Sequence, residues 1–267
     1  MQHNQLSRDH RAGMRKFMDQ YSIMLITVVM IAIATLLQGT TFLSLSNFIN
    51  IIRSNSVVGI IAFGMSLVII SGHIDLSVGA QMVLVASVSI DVVNRTGSAV
   101  LGVLAAFAFS CTLSLMTGLI VTKGRVPSFI VTLGLQYIYR SILIYSLNGG
   151  GTTTSNAGYA SISNYSLCGW LPLQILYFFI MAAIFWFVSK RTVLGRHIYA
   201  VGSHEKAARL SGIKTDRIKI ISFVLLGATI AVAAVAESSR MGSINSTSSG
   251  VSYELNAIAM AVIGGVA

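Results

Sequence analysis

Long apolar stretches alternate with short polar ones along the chain, and the apolar stretches have the length of membrane spans. A helix needs about 20 mostly apolar residues to cross a hydrocarbon core ~30 Å thick. Seven stretches come close to this length, and an eighth begins near the end of the printed sequence. They are Tyr21–Leu37, Ser56–Ser71, Leu76–Val93, Ser98–Val121, Pro127–Leu147, Leu171–Ser189, Ile218–Ala236 and Glu254–Ala267. The pattern predicts an all-α, polytopic membrane protein folded as a helical bundle.

Polar residues modify this pattern near its start. Residues 72–75, Gly-His-Ile-Asp, separate the second and third stretches, which predicts a break in the helix that protein or water must cover. The segment Phe42–Ile52 has apolar residues at helical spacing but is too polar to cross, which predicts a separate short helix at the membrane interface. The first stretch is too long for a signal peptide and lacks a cleavage site, so we expect an uncleaved span.

Composition excludes several classes of protein. Hydrophobic residues make up 54% of the chain and charged residues 10%, whereas soluble domains carry about 25% charged residues. A soluble domain, a disordered chain and a disulfide scaffold are therefore excluded. The isolated Cys111 and Cys168 indicate neither a disulfide nor a metal site. No set of catalytic or metal-binding residues and no phosphate-binding loop is present, so we expect no enzyme and no cofactor, with any ATP bound by another polypeptide.

The positive charge is concentrated in three segments rather than spread over a surface. Of the 18 Lys and Arg residues, four precede the first span, two lie between the fourth and fifth, and eight lie in 190–219. Because positive residues collect in cytoplasmic segments, these three segments and the N-terminus are predicted to be cytoplasmic. We expect external loops at 148–170 and 237–252. The net charge of +10 thus indicates orientation, not nucleic-acid binding.

These assignments divide the chain into a cytoplasmic N-terminal segment, residues 1–20, and a transmembrane domain, residues 21–267. Within that domain the fourth span carries a small residue at every fourth position, which predicts a closely packed helix face, with a path lined by its two serines as the alternative. These residues are Gly102, Ala106, Ser110, Ser114 and Gly118. Arg140 lies within the fifth span. Its side chain is expected either to reach towards the membrane interface or to have a functional role.

The basic segment 190–219 carries the signals of a short, capped helix. Ser203 is the predicted N-cap, Glu205 complements the first-turn dipole, and Gly212 is the predicted terminal glycine. Between them, small apolar residues alternate with basic ones: Lys206, Ala207, Ala208, Arg209 and Leu210. Caps at both ends favour a helix that docks on a partner over a basic tether held near anionic membrane lipid.

Three sequence stretches resemble the permease subunit of bacterial ABC importers for monosaccharides, of the ribose, xylose and arabinose type. They are Gly64–Gly79, Lys123–Gly134 and Leu194–Gly202 with its continuation Ala207–Ile213. The family usually has glycine where this chain has His73. The resemblance implies an inner-membrane protein whose partners are an ABC ATPase subunit, a periplasmic sugar-binding protein and a second permease subunit.

The resemblance also implies roles for particular residues. The ATPase-coupling loop would include Gly195, Arg196, Gly202, Glu205, Ala207, Ala208, Arg209, Leu210 and Gly212. The family signature and possible translocation path would include Gly72, Asp75, Ser77, Gly79 and Arg140. A ribose-like pentose as the transported sugar follows from the resemblance alone.

In the family, a motif similar to Tyr253–Ala259 is followed by further spans, so C-terminal spans are expected to be missing from this chain. Two other hypotheses stay open. One is a secondary carrier or facilitator of neutral solutes, and the other is a truncated membrane scaffold whose basic loop recruits a cytoplasmic protein without transport.

Overall fold

A computed structural model describes residues 24–167, 169 and 171–266. The predicted cytoplasmic segment 1–20, the first three residues of the first predicted span, and Cys168 lie outside the described residues. Within them, seven helices are long and apolar enough to cross a membrane, and the other apolar helix, Tyr253–Ile263, is shorter. The prediction of an all-α polytopic protein is therefore confirmed.

The chain divides into two units, residues 1–51 and 52–267. The described part of the first unit contains helix α1, Met24–Thr41, and the beginning of helix α2, Leu45–Ile70. Asn47 stabilises the connection between them, because its side-chain amide donates to the carbonyl of Phe42 over 2.8 Å.

The interfacial helix predicted over Phe42–Ile52 is wrong, because α2 is continuous over 26 residues, or about 39 Å. The Ser and Asn residues near its start lower hydropathy without breaking a helix. Neither glycine nor proline occurs in α2 before Gly59, so nothing ends the helix at the interface.

The second unit contains the rest of α2 and all later elements. The helices are α3 (Val78–Thr96), α4 (Ala99–Lys123), α5 (Ser128–Ser146), α6 (Ala157–Asn164), α7 (Leu173–Arg191), α8 (Val193–Ser203), α9 (Glu205–Leu210), α10 (Thr215–Met241) and α11 (Tyr253–Ile263). The strands are β1 (Gly151–Thr153), β2 (Ser166–Leu167), β3 (Leu171–Pro172) and β4 (Ser243–Asn245). Strand β1 pairs antiparallel with β4, and β2 with β3.

The core of the second unit forms where α4 packs along α10 and α3. All five small residues predicted on α4 are buried, which confirms the packed face. Across the contact, a Cβ on Gly227 of α10 would lie 2.6 Å from Ser114 Oγ. The Ser110 hydroxyl donates to the carbonyl of Gly227 over 2.7 Å, and Ser114 accepts from Gln81 over 2.9 Å. Both serines are fully buried and bond between helices instead of lining an open path.

The segments predicted as external loops contain regular structure. Helix α6 lies within 148–170 and packs on α10, which itself extends to Met241. Asn156 caps α6 by accepting from the amide of Tyr159 over 2.9 Å. The Tyr159 ring is fully buried, and its hydroxyl lies 2.9 Å from Ser89 Oγ and 2.7 Å from Ser238 Oγ. Hydrogen bonds between hydroxyl groups thus hold α6 in the bundle. A hydropathy pattern detects apolar contacts and therefore does not reveal this packing.

Candidate functional site

The segment predicted to couple to a partner consists of α8 and α9 and is called the coupling segment below. Its first part, α8, is an 11-residue helix that was not predicted from the sequence. Thr192 caps it, because its hydroxyl accepts from the amide of Gly195 over 3.1 Å. A Cβ at Gly195 would collide with the carbonyls of Val188 and Ser189, so only glycine fits this tight turn after α7. The missed signal was the helical spacing of Leu194, Ile198 and Val201.

Helix α9 follows and ends as predicted. Gly212 has a φ of +84°, and its amide donates to the carbonyl of Arg209 over 3.1 Å. The amide of Ile213 donates to Ala208 over 3.1 Å, which completes a Schellman motif. The predicted N-cap is wrong, however. Ser203 is the last residue of α8, and His204 caps α9 because its Nδ1 accepts from the amide of Ala207 over 3.4 Å.

A small apolar core holds α8 and α9 against the membrane helices. Ile198 and Val201 of α8 and Ala208 of α9 are buried in it. The core also includes one residue from each of three long helices, α2, α7 and α10: Leu67, Phe185 and Ile218. The coupling segment is therefore packed onto the ends of three spans.

Charged residues fasten α9 to the start of α10. Lys219 Nζ lies 2.8 Å from Glu205 Oε2, and Arg209 Nη2 lies 3.2 Å from Glu205 Oε1. Arg209 also bonds Thr215 over 2.9 Å and Asp216 over 3.3 Å. The hydrogen bond from Lys219 is the largest cause that lowers the pKa of Glu205 below its usual value. Glu205 and Arg209 thus hold the coupling segment together.

The outer face of the segment carries the remaining predicted residues. Arg196 and Ala207 are exposed, and the Leu210 side chain is 90% exposed at the end of α9. Of the three apolar residues predicted on this helix, only Ala208 is buried. An exposed leucine beside basic residues forms a surface that a partner could cover.

The turn that follows α2 lies against the coupling segment. It contains the predicted residue Gly72 and contacts another, Gly202 of α8. Gly72 has a φ of +85°, and the amide of His73 donates to Val68 over 3.0 Å, which forms a second Schellman motif. His73 itself is not left-handed, so the turn accepts it where the family usually has glycine. Gly202 of α8 lies against this turn, because a Cβ there would overlap the carbonyl of Ile70.

Asp75 and Ser77 lie in the buried part of the connection between α2 and α3. Asp75 Oδ1 accepts from the Ser77 amide over 2.8 Å and from its hydroxyl over 2.6 Å, and both residues are fully buried. Burial raises the pKa of Asp75 to about 6, and the hydrogen bonds from Ser77 oppose this rise. The break between the second and third spans is therefore covered by protein, as predicted.

His73 faces a cavity of about 520 Å³ between the turn and the coupling segment. Burial, followed by the charge of Lys219, lowers the pKa of His73 to about 4, so the imidazole is neutral at pH 7. Its Nε2 is buried without a hydrogen-bond partner among the residues that the structure describes. Arg125, Glu205 and Arg209 are among the other residues that line the cavity.

Gly79 and Arg140 lie farther along the spans, where segment 246–252 joins β4 to α11. A Cβ at Gly79 would collide with the carbonyl of Gly250 and with the Glu254 carboxylate. Arg140 Nη1 donates to the carbonyls of Ser246 and Ser249, each over 2.9 Å. The Arg140 side chain therefore binds the backbone of a segment more than 100 residues away.

Two polar residues beside Arg140 were not predicted from the sequence. Gln136 Nε2 donates to Glu254 Oε1 over 3.2 Å, and only 9% of Glu254 is exposed. A carboxylate at the start of the last apolar stretch is the signal that could have identified Glu254. The predicted residues thus fall in two places: Gly79 and Arg140 beside α11, and all the others at the coupling segment and its adjoining turn.

Comparisons with known proteins agree with this architecture. The family described as "Branched-chain amino acid transport system / permease component" matches residues 47–267. The ribose import permease of Escherichia coli strain K12 is 37% identical over 258 residues, covering 93% of this chain and 77% of the relative. The xylose transport system permease of Haemophilus influenzae is 31% identical, covering 92% of this chain and 82% of the relative.

An L-arabinose ABC transporter permease from Azospirillum brasilense is 29% identical, covering 96% of this chain and 75% of the relative. No solved structure matches the chain. The family match, the identities above 30% and the seven candidate spans agree on a multi-pass membrane protein with a role in transport. The chain therefore belongs to the family of transport-system permease components that includes the ribose and xylose permeases.

Proposed function

We propose that this protein is the transmembrane subunit of an ATP-driven importer, which moves a monosaccharide across the bacterial inner membrane by alternating access. The observation that carries the proposal is the coupling segment, α8 and α9, with a buried apolar base and the exposed Leu210. Such a segment can transmit a displacement from a partner to α2, α7 and α10, because a packed core moves as a unit. The chain needs no cofactor of its own, since ATP is bound and hydrolysed by the partner.

The ATPase subunit docks on the exposed face of α9 and adjoining basic residues. Leu210 is the apolar anchor, and Lys206 and Arg196 meet acidic groups at the edge of the contact. Exposed apolar anchors surrounded by charge are typical of docking surfaces. The ATPase binds on the cytoplasmic side, where positive residues collect. Because the N-terminal segment is also rich in positive residues, we place the N-terminus on the same side.

The substrate is a ribose-like pentose, which a periplasmic binding protein delivers to a pair of permease subunits. The identities with ribose and xylose permeases support a pentose. A neutral sugar also suits a bundle whose buried polar groups are mostly uncharged. These include Gln81, Ser110, Ser114 and Thr229.

Reconstitution in liposomes tests the proposal. The permease is combined with an ABC ATPase and a periplasmic ribose-binding protein from the same bacterium, and uptake of labelled D-ribose is measured with and without ATP. We expect uptake that requires all three proteins and ATP. Uptake without ATP would identify a secondary carrier, and ATPase binding without any sugar uptake would identify a scaffold.

Leu210 provides the test of the docking surface. Leu210→Ala should reduce co-purification of the ATPase and sugar-stimulated ATP hydrolysis while leaving thermal stability unchanged, since the side chain has few contacts to lose. Leu210→Met keeps a large apolar side chain and is the matched control. Equal ATPase binding by both variants would contradict the assignment.

A further inference from the structure

A polar site that the proposed function has not yet used surrounds Arg140, in the middle of helix α5. Helix α5 has 19 residues and a length of about 28 Å. Gln136 and Arg140 lie eight and twelve residues after Ser128, or about 12 and 18 Å along the helix. One turn apart, they share one helix face. Both therefore lie in the central third of the span.

The chain that faces them is interrupted at the same level. Segment 246–252 leaves strand β4 without forming a helix, and α11 begins only at Tyr253. Gly250, with a φ of +66°, packs on Gly79, and Arg140 satisfies two of the segment's carbonyls. Secondary transporters place substrate sites at broken helices near the midplane. Irregular backbone at membrane depth is tolerated only where it is covered by protein or lines a cavity.

The three polar side chains keep hydrogen-bonding capacity after these contacts. Arg140 uses Nη1 only, and within the described residues its Nε and Nη2 donate no hydrogen bond. Glu254 takes its hydrogen bond at Oε1, from Gln136, and forms no salt bridge within the described part of the chain. Within the described residues, two donor atoms of Arg140 and Oε2 of Glu254, which lies against Gly79, thus take no hydrogen bond. Gln136 and Arg140 are only half-buried.

We propose that Gln136, Arg140 and Glu254 form a subsite that binds the hydroxyl groups of the sugar midway through the membrane. The proposal rests on the proposed function, from which it takes the class of solute. Neighbouring hydroxyls of a pentose each donate and accept one hydrogen bond. Arg140 supplies the donors, and the Glu254 carboxylate and Gln136 amide oxygen supply the acceptors. A few convergent polar groups of this kind orient a ligand in an otherwise apolar site.

Protection of a cysteine from alkylation tests the subsite without requiring transport. Leu133→Cys, one turn from Gln136 on the same face of α5, is the reporter, and Ile138→Cys, on another face, is the control. Both are made with Cys111→Ala and Cys168→Ala, in the nucleotide-free complex with the ATPase. We expect D-ribose to slow the reaction of N-ethylmaleimide at position 133 and to leave position 138 unchanged. Equal effects at both positions, or none at 133, would overturn the subsite.

Glu254→Gln then tests the carboxylate. Because a hydrogen bond to a charged group is lost, half-maximal protection at position 133 should need about ten times more D-ribose. Glu237→Gln, at a carboxylate near the end of α10 that pairs with Arg240 instead of Gln136, is the matched control and should not change that concentration. Unchanged protection in Glu254→Gln would refute the role of Glu254. A complex that transports ribose without protection at 133 refutes the subsite alone, and protection without ATP-driven transport refutes the proposed function alone.

Discussion

Gly202 of α8 lies so close to the carbonyl group of Ile70 in α2 that no other residue fits at this position. Gly202→Ala should therefore separate the coupling segment from the turn at residues 71–77. We expect a loss of about 1–3 kcal/mol in the free energy of unfolding, the usual cost of overpacking, together with loss of ATPase stimulation. Thermal unfolding in detergent and ATP hydrolysis in liposomes measure the two effects.

The control for this prediction is Gly134→Ala. Gly134 lies in α5, and a Cβ there would have no neighbour within 4 Å. Alanine at this helical position should be neutral or stabilising by up to about 1 kcal/mol. If the two alanine variants unfold at the same temperature, the close contact at Gly202 does not matter.

The Tyr159 hydroxyl connects α6 to α3 and α10 through Ser89 and Ser238. Tyr159→Phe should lower the free energy of unfolding by about 1 kcal/mol, because the two serines keep their backbone acceptors and lose one partner. Tyr165→Phe, at a position 60% exposed, should have no effect. Thermal unfolding of both variants in detergent gives the comparison, and equal shifts would argue against the buried contact.

Asp75 should make the protein less stable as the pH rises from about 4 to about 6. Its pKa is 3.8 in the unfolded chain and about 6 in the folded one, so the folded state holds the proton more tightly. The free energy of unfolding should fall by up to ~3 kcal/mol over this range. Asp75→Asn should remove this part of the pH dependence and be more stable than wild type at pH 7.5.

Unfolding temperatures at pH 4.5 and 7.5 measure the effect as the difference between wild type and Asp75→Asn. A difference that does not change with pH would show that the carboxyl titrates normally.

His73 should act in the opposite direction. Its pKa falls from 6.5 in the unfolded chain to about 4 in the folded one, so stability is lost as the pH falls from 6.5 towards 4. His73→Gln, made in the Asp75→Asn background, should reduce this loss of stability between pH 6.5 and pH 4. His197→Gln is the matched control at another histidine, in the coupling segment, and the same reduction there would contradict the assignment.

The spans and the end of α9 could be predicted from sequence because their causes are local. Hydropathy over about 20 residues identifies a span, and Gly212 ends a helix through its own backbone freedom. The cap at His204 was missed because serine is the commoner capping residue, and Ser203 precedes it directly.

The missed features depend on residues far apart in the chain. Helix α6 looks like a loop until Tyr159 meets Ser238, 79 positions away. The contact between Gln136 and Glu254 spans 118 positions. Hydropathy and spacing describe neighbours in sequence, and they carry no information about which polar groups meet across a bundle.

The coupling segment has a buried face that packs on the spans and an exposed outer face. Ile198, Val201 and Ala208 are buried in a core shared with the spans, whereas Leu210 and Arg196 are exposed. Substitutions on the outer face are therefore expected to change the surface offered to a partner without disturbing the contacts with the membrane helices. Under the proposed function, the surface that docks the ATPase can diverge in sequence while the packing of the membrane helices stays the same.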